Sequence, residues 1–184
     1  MRLPPPTEDR LDAAQRAVLA AIRDGPRGGA DGLAGPFGVW VRAPAVGGPA
    51  QALGAAVRFA SSLADDIREI AICTVGAHYR ARFEFATHRA LAEAAGVDPH
   101  ALDRLRDAEP PGFAGSQALA HQVARALLET HRIDDALYLA ARDAFGENGL
   151  IELVTTVGYY CLVSLTLNAF DIPLAPGVAD PFPV

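Results

Sequence analysis

From Asp66 to Ala95 apolar side chains recur at helical spacing, and nowhere in the chain do apolar and polar residues alternate as they would in a half-buried strand. The chain is therefore expected to be all-α, without a sheet. A run of that length exceeds an ordinary globular helix, and Gly76 predicts a break inside it. Before it, Thr7 reads as the N-cap of a helix over 7–23, with Leu11, Ala14, Val18, Leu19 and Ile22 on one stripe. Residues 24–49 hold much of the glycine and proline and read as an ordered loop around the apolar knot of Phe37, Val39, Trp40 and Val41. A shorter helix is expected over 49–63, with Asp65 and Asp66 as a negatively charged start for the next.

Beyond the break, a second piece runs from about Tyr79 until Gly96 ends it, and Asp98 followed by Pro99 opens another helix. Pro110, Pro111 and Gly112 form a loop, after which helices are expected over 116–131, 134–145 and 147–170, and then a Pro-rich tail over 171–184. That makes about seven helices in a single domain spanning 1–184. The last helix approaches the length of a membrane span. It carries Glu152, Thr155, Thr156, Ser164, Thr166 and Asn168 and lacks basic flanks, so it is expected to be buried in a core or a subunit interface, not in lipid.

Composition narrows the chemistry. The net charge is −6 and the basic residues are scattered, which argues against nucleic acid or an anionic membrane as partner and leaves small molecules or proteins. There is no lysine. Lysine Schiff-base chemistry and lysine-dependent phosphate loops are thereby excluded. Cys73 and Cys161 lie far apart in apolar runs, with no C-x-x-C and no zinc-knuckle spacing, so a reduced cytoplasmic setting is expected. The N-terminus, MRLPPPTEDRLD, has no apolar signal-peptide core.

Titratable residues concentrate in REIAICTVGAHYRARFEFATHRALAEAAG, which gathers Glu69, His78, Glu84 and His88. Glu84 and His88 stand four apart and project from one helix face, where a carboxylate can orient an imidazole and raise its basicity. The same spacing also suits a surface ion pair. A metal set is the competing reading, with Glu69 or His78 as a third ligand. The spacing matches neither the His-Glu-x-x-His of zinc proteases nor the Glu-x-x-His of di-iron bundles, so no metal is expected. His78 reads as a turn residue, and His100, His121 and His131 as residues of exposed faces.

Taken together, GPF at 35–37, RFASSLADDIREIAI around Glu69, FEFATHRALAEAAGV around His88 and IELVTTVGYY near the C-terminus resemble the carboxymuconolactone decarboxylase-like proteins, a superfamily shared with the alkylhydroperoxidase D type. The resemblance implies an antiparallel helical bundle and a homo-oligomer, commonly a dimer, trimer or hexamer. In the peroxidase branch a Glu is followed by C-x-x-C and a His. Here Glu69 and His88 match the ends of that pattern, while Ala81 and Glu84 occupy the cysteine positions. Without an attacking and a resolving thiol, peroxidase chemistry loses its basis, whatever the family link suggests. The decarboxylase branch implies cofactor-independent acid/base chemistry, decarboxylation or lactone conversion, on a small carboxylated substrate of aromatic catabolism. Glu69, Glu84 and His88 would then be catalytic, with Arg68, Arg82, Arg89 and Tyr160 as candidates for binding the anionic substrate. A relative that has lost catalysis and serves as an oligomeric binding or scaffold protein is the alternative.

Overall fold

The computed structural model describes residues 1–4, 6–26 and 32–183. All regular structure among them is helical. A short 3-10 turn, Glu8–Arg10, precedes α1 (Ala13–Arg23), α2 (Phe37–Trp40), α3 (Pro44–Phe59), α4 (Asp65–His78), α5 (Arg82–Ala94), α6 (Pro99–Arg106), α7 (Gly115–Glu129) and α8 (Asp135–Ala169). The chain divides into two compact units, Met1–Ala60 with Thr166–Pro173, and Ser61–Leu165 with Leu174–Val184.

In the first unit, α1 starts later than Thr7 because Asp12 makes the better cap. Its carboxylate accepts from the Gln15 amide at 2.9 Å, while the Gln15 side chain accepts from the Asp12 amide at 3.0 Å, so both ends of the first turn are satisfied. The stripe Leu11, Val18, Leu19 and Ile22 is buried together with Val41, and Leu33 and Phe37 pack against it. The loop expected over 24–49 gives way to α2 and to the first turn of α3, which begins at Pro44 and carries Pro49 inside it. Proline suits the first turn of a helix, and Pro44 takes that role. Residues 27–31 of that expected loop lie outside the described residues.

In the second unit, α4 is buried continuously from Ile67 to Gly76 and carries α5, α6 and α7 against it. Helix α4 runs two residues past Gly76 before it stops. The stop is made by Arg80, whose φ of 47° is left-handed, and by bonds from the Arg80 amide to the Ala77 carbonyl and from the Ala81 amide to the Gly76 carbonyl. This is the paired-bond C-cap that usually uses glycine. Gly76 serves closeness instead, because a β-carbon there would sit 3.3 Å from both the backbone nitrogen and the α-carbon of Phe85. Gly76→Ala is expected to push α5 off α4 and cost about 1–3 kcal/mol in urea unfolding; an unchanged midpoint would show that α5 yields freely.

The pairs Glu69–His88 and Gly76–Phe85 make α4 and α5 antiparallel. Helix α7 meets α4 in the other sense, pairing Gln117 with Asp66 and His121 with Thr74. Asp98 caps α6 by accepting from the His100 amide, as expected, and Pro99 opens the helix. The long α8 is two helices joined at Gly146, whose φ of 72° and ψ of 171° only glycine adopts readily. Glu152 holds its second half to the chain before α4, accepting from the Ser61 hydroxyl at 2.9 Å and from the Ser62 amide and hydroxyl at 2.8 Å.

By length and composition, α8 is apolar enough to cross a membrane, with 56% of its most apolar window buried inside the fold. Its exposed side carries Ile151, Val154, Leu162 and Leu165, spaced to form one stripe. From Leu174 on, the Pro-rich tail belongs to the second unit. Phe182 is buried with its ring 5.2 Å from that of Phe85, and the Arg80 guanidinium lies 5.0 Å above it.

Candidate active site

Glu69 lies on the buried face of α4, and Glu84 and His88 lie one turn apart on α5. The antiparallel packing brings all three into one line. His88 Nδ1 is 2.5 Å from Glu69 Oε2, and His88 Nε2 is 3.0 Å from Glu84 Oε1. Only 2% of Glu69, 3% of Glu84 and 4% of His88 is exposed, so the imidazole is clamped between two carboxyl groups away from water.

Burial by itself would drive the imidazole toward its neutral form. The charges of Glu84 and Glu69 and the hydrogen bonds to both outweigh it and raise the His88 pKa to about 9. At neutral pH the ring is then an imidazolium that donates from both nitrogens. Among the described residues no group of three His, Cys, Asp or Glu side chains is arranged to hold a metal.

Arg68 extends the cluster. It is 8% exposed, its guanidinium reaches Asp65 Oδ1 at 2.7 Å, and its Nε lies 3.5 Å from Glu69 Oε1. That Nε is buried and makes no hydrogen bond, although the Glu69 carboxylate lies beside it. The Tyr160 ring stands edge-on to His88 with centroids 4.9 Å apart and is in turn 5.2 Å from the Tyr159 ring. Of the expected site residues, Glu69, Glu84, His88, Arg68 and Tyr160 therefore come together.

Arg82 and Arg89 are held elsewhere. Arg82 pairs with Asp180 of the tail at 3.2 Å, and Arg89 pairs with Glu93 at 2.8 Å and Asp103 at 2.6 Å.

Both cysteines are free. Burial, reinforced by the nearby Glu69 and Glu84, pushes the Cys73 thiol well above its ordinary value. Cys161 is only half-buried, and burial raises it too. Neither sits as a thiolate at neutral pH.

The structure corrects one expectation directly, since His121 is not on an exposed face. It is half-buried and sits 3.0 Å from the Thr74 hydroxyl, with its ring against Phe113. A signal for this was present in α7, where Gln117, His121, Ala124 and Leu128 share one stripe. His78 ends α4 and is exposed, as a turn residue would be. Compared with protein-family models and with curated proteins, the chain finds no match.

Proposed function

We propose that the chain is a carboxymuconolactone decarboxylase-like enzyme that performs acid/base chemistry without an organic cofactor on a small carboxylated substrate or lactone of aromatic catabolism. The observation that carries this reading is the buried line Glu69–His88–Glu84. Glu69 orients the ring, and His88 stores a proton. Because both ring nitrogens are engaged, the proton leaves through Glu84, which stands where a peroxidase relative would carry a thiol.

In decarboxylation the bond to the departing carboxylate breaks, its electron pair passes into the conjugated lactone carbonyl, and the proton held on His88 Nε2 passes to the Glu84 carboxylate and from it to carbon. His88 is then reloaded from solvent. The Arg68 Nε, a buried donor that makes no hydrogen bond, is suited to an oxygen of the anionic substrate. The high thiol pKa values of Cys73 and Cys161 speak against a thiol peroxidase. The exposed stripe on α8 suits contact with a second copy of the chain in a homo-oligomer, and the two unpaired thiols suit the cytoplasm.

The deep burial of the cluster favours one other reading, a non-catalytic oligomeric protein in which the triad only fastens α4 to α5. Turnover of a carboxylated unsaturated lactone, followed as carbon dioxide release, separates the two. The enzyme reading expects Glu84→Gln to lower the rate by about 10²–10⁴ while the variant remains folded. Folded wild-type protein with no rate above the uncatalysed reaction leaves the fastening role alone.

A further inference from the structure

A second titratable site lies on the other side of α4. Thr74 is five residues beyond Glu69, which on a helix turns it about 140° away from the triad. There α4 borders a groove of about 440 Å³, inside the range of small-molecule pockets, about 300–1,000 Å³. Its apolar lining comprises Ala77, Leu105, Leu128, Pro110 and Pro111. Its polar lining includes His121, Thr74, Arg80, Arg106 and Arg125, with Glu109 and Glu129 as the acidic members.

The hydrogen bonds favour one setting of His121. The Thr74 hydroxyl has one proton, and it donates that proton to the Ile70 carbonyl at 2.8 Å. Toward His121 the same oxygen can therefore only accept, so His121 Nδ1 carries the hydrogen of the 3.0 Å contact. A neutral ring protonated on Nδ1 has its lone pair on Nε2. Burial, followed by the charge of Arg125 and opposed by Glu129, lowers the His121 pKa and keeps the ring neutral. The result is a fixed acceptor in the groove, the reverse of the protonated His88.

The cations there are unequally occupied. Arg106 is spent on Asp103 at 3.0 Å and Asp107 at 2.8 Å. Arg125 is held only loosely, 3.7 Å from Glu129. Arg80 has no carboxylate partner among the described residues and rests on the Phe182 ring. It also occupies a left-handed position where glycine would be easier, so its side chain is kept at a conformational cost.

We propose that this groove binds a small aromatic hydroxycarboxylate. The ring lies on the apolar lining, the hydroxyl donates to His121 Nε2, and the carboxylate is gripped by Arg80 and Arg125. The site is independent of the triad, and its test does not depend on catalysis.

Salicylate, 3-hydroxybenzoate and 4-hydroxybenzoate are titrated at millimolar concentration into the whole protein and followed by two-dimensional NMR, with benzoate as the analogue lacking the hydroxyl. At least one hydroxybenzoate is expected to bind saturably and to shift signals of Thr74, His78, Leu105 and His121. Its affinity should exceed that of benzoate by roughly tenfold, and His121→Phe and Arg80→Gln should each weaken it by roughly tenfold. The comparison with benzoate uses wild-type protein and needs no variant to fold. Absence of saturable binding by all three probes overturns the proposal. So does benzoate binding as tightly as the best hydroxybenzoate, or binding that is unchanged in folded His121→Phe.

Discussion

Replacing Glu69 with alanine will lower the stability of the protein by roughly 3–5 kcal/mol, because it strands a buried charge. Glu69 touches His88 at 2.5 Å and lies 3.5 Å from Arg68 Nε, and all three side chains are almost fully enclosed. Without the carboxylate, the imidazolium keeps only Glu84, and the Arg68 guanidinium keeps only the exposed Asp65. Urea unfolding followed by circular dichroism measures the loss. The cost belongs to breaking the set and not to its net worth. Replacing Glu69, Glu84 and His88 together with apolar residues of similar size should therefore recover much of it. A Glu69→Ala variant within about 1 kcal/mol of wild type would mean that water reaches the cluster and screens it.

The second large effect is on pH dependence. In the unfolded chain His88 has its ordinary value of 6.5, and in the folded protein about 9. Between those values the folded state holds a proton that the unfolded state has released, so stability falls as pH rises. The contribution is fully present below pH 6.5 and is lost as pH rises through about 9. A shift of that size corresponds to about 3 kcal/mol. His121 acts in the opposite sense at lower pH. Its folded value is depressed below 6.5, so its contribution is lost as pH falls. Cys73 adds a further loss only above the ordinary thiol value of 9.0. The window between 6.5 and 9 thus isolates His88, and a His88→Gln variant should lose most of the slope there. A flat wild-type profile would contradict the assignment.

Local sequence carried the helices further than it carried their ends. The runs around Glu69 and His88, and the split at Gly146, were readable because apolar spacing and punctuation agree there. Gly76 reads as a breaker because glycine weakens helices, yet in the fold it is the point of closest approach to Phe85 and the chain turns at Arg80. Pro49 reads as a start because proline favours first turns, but Pro44 already fills that role. Thr7 gives way to Asp12, whose reciprocal bonds with Gln15 satisfy more of the helix end.

The site shows the same division. Glu84 and His88 share a helix face and could be paired from spacing alone, whereas Glu69 joined them through the family resemblance. Which arginine turns inward is a tertiary matter. Arg68 lies on the buried face of α4, while Arg82 and Arg89 meet acids at Asp180, Glu93 and Asp103. Thr74 and His121 lie 47 residues apart, and only the packing of α7 on α4 brings them together.

The proposed chemistry depends on His88 being protonated at neutral pH. Nitrogen-15 NMR of the histidine rings, titrated from pH 5 to 10, reads it directly. Both ring nitrogens of His88 should carry protons at pH 7 and lose one near pH 9. A His88 that titrates at or below the ordinary 6.5 would contradict the proton store between Glu69 and Glu84 and the chemistry drawn from it.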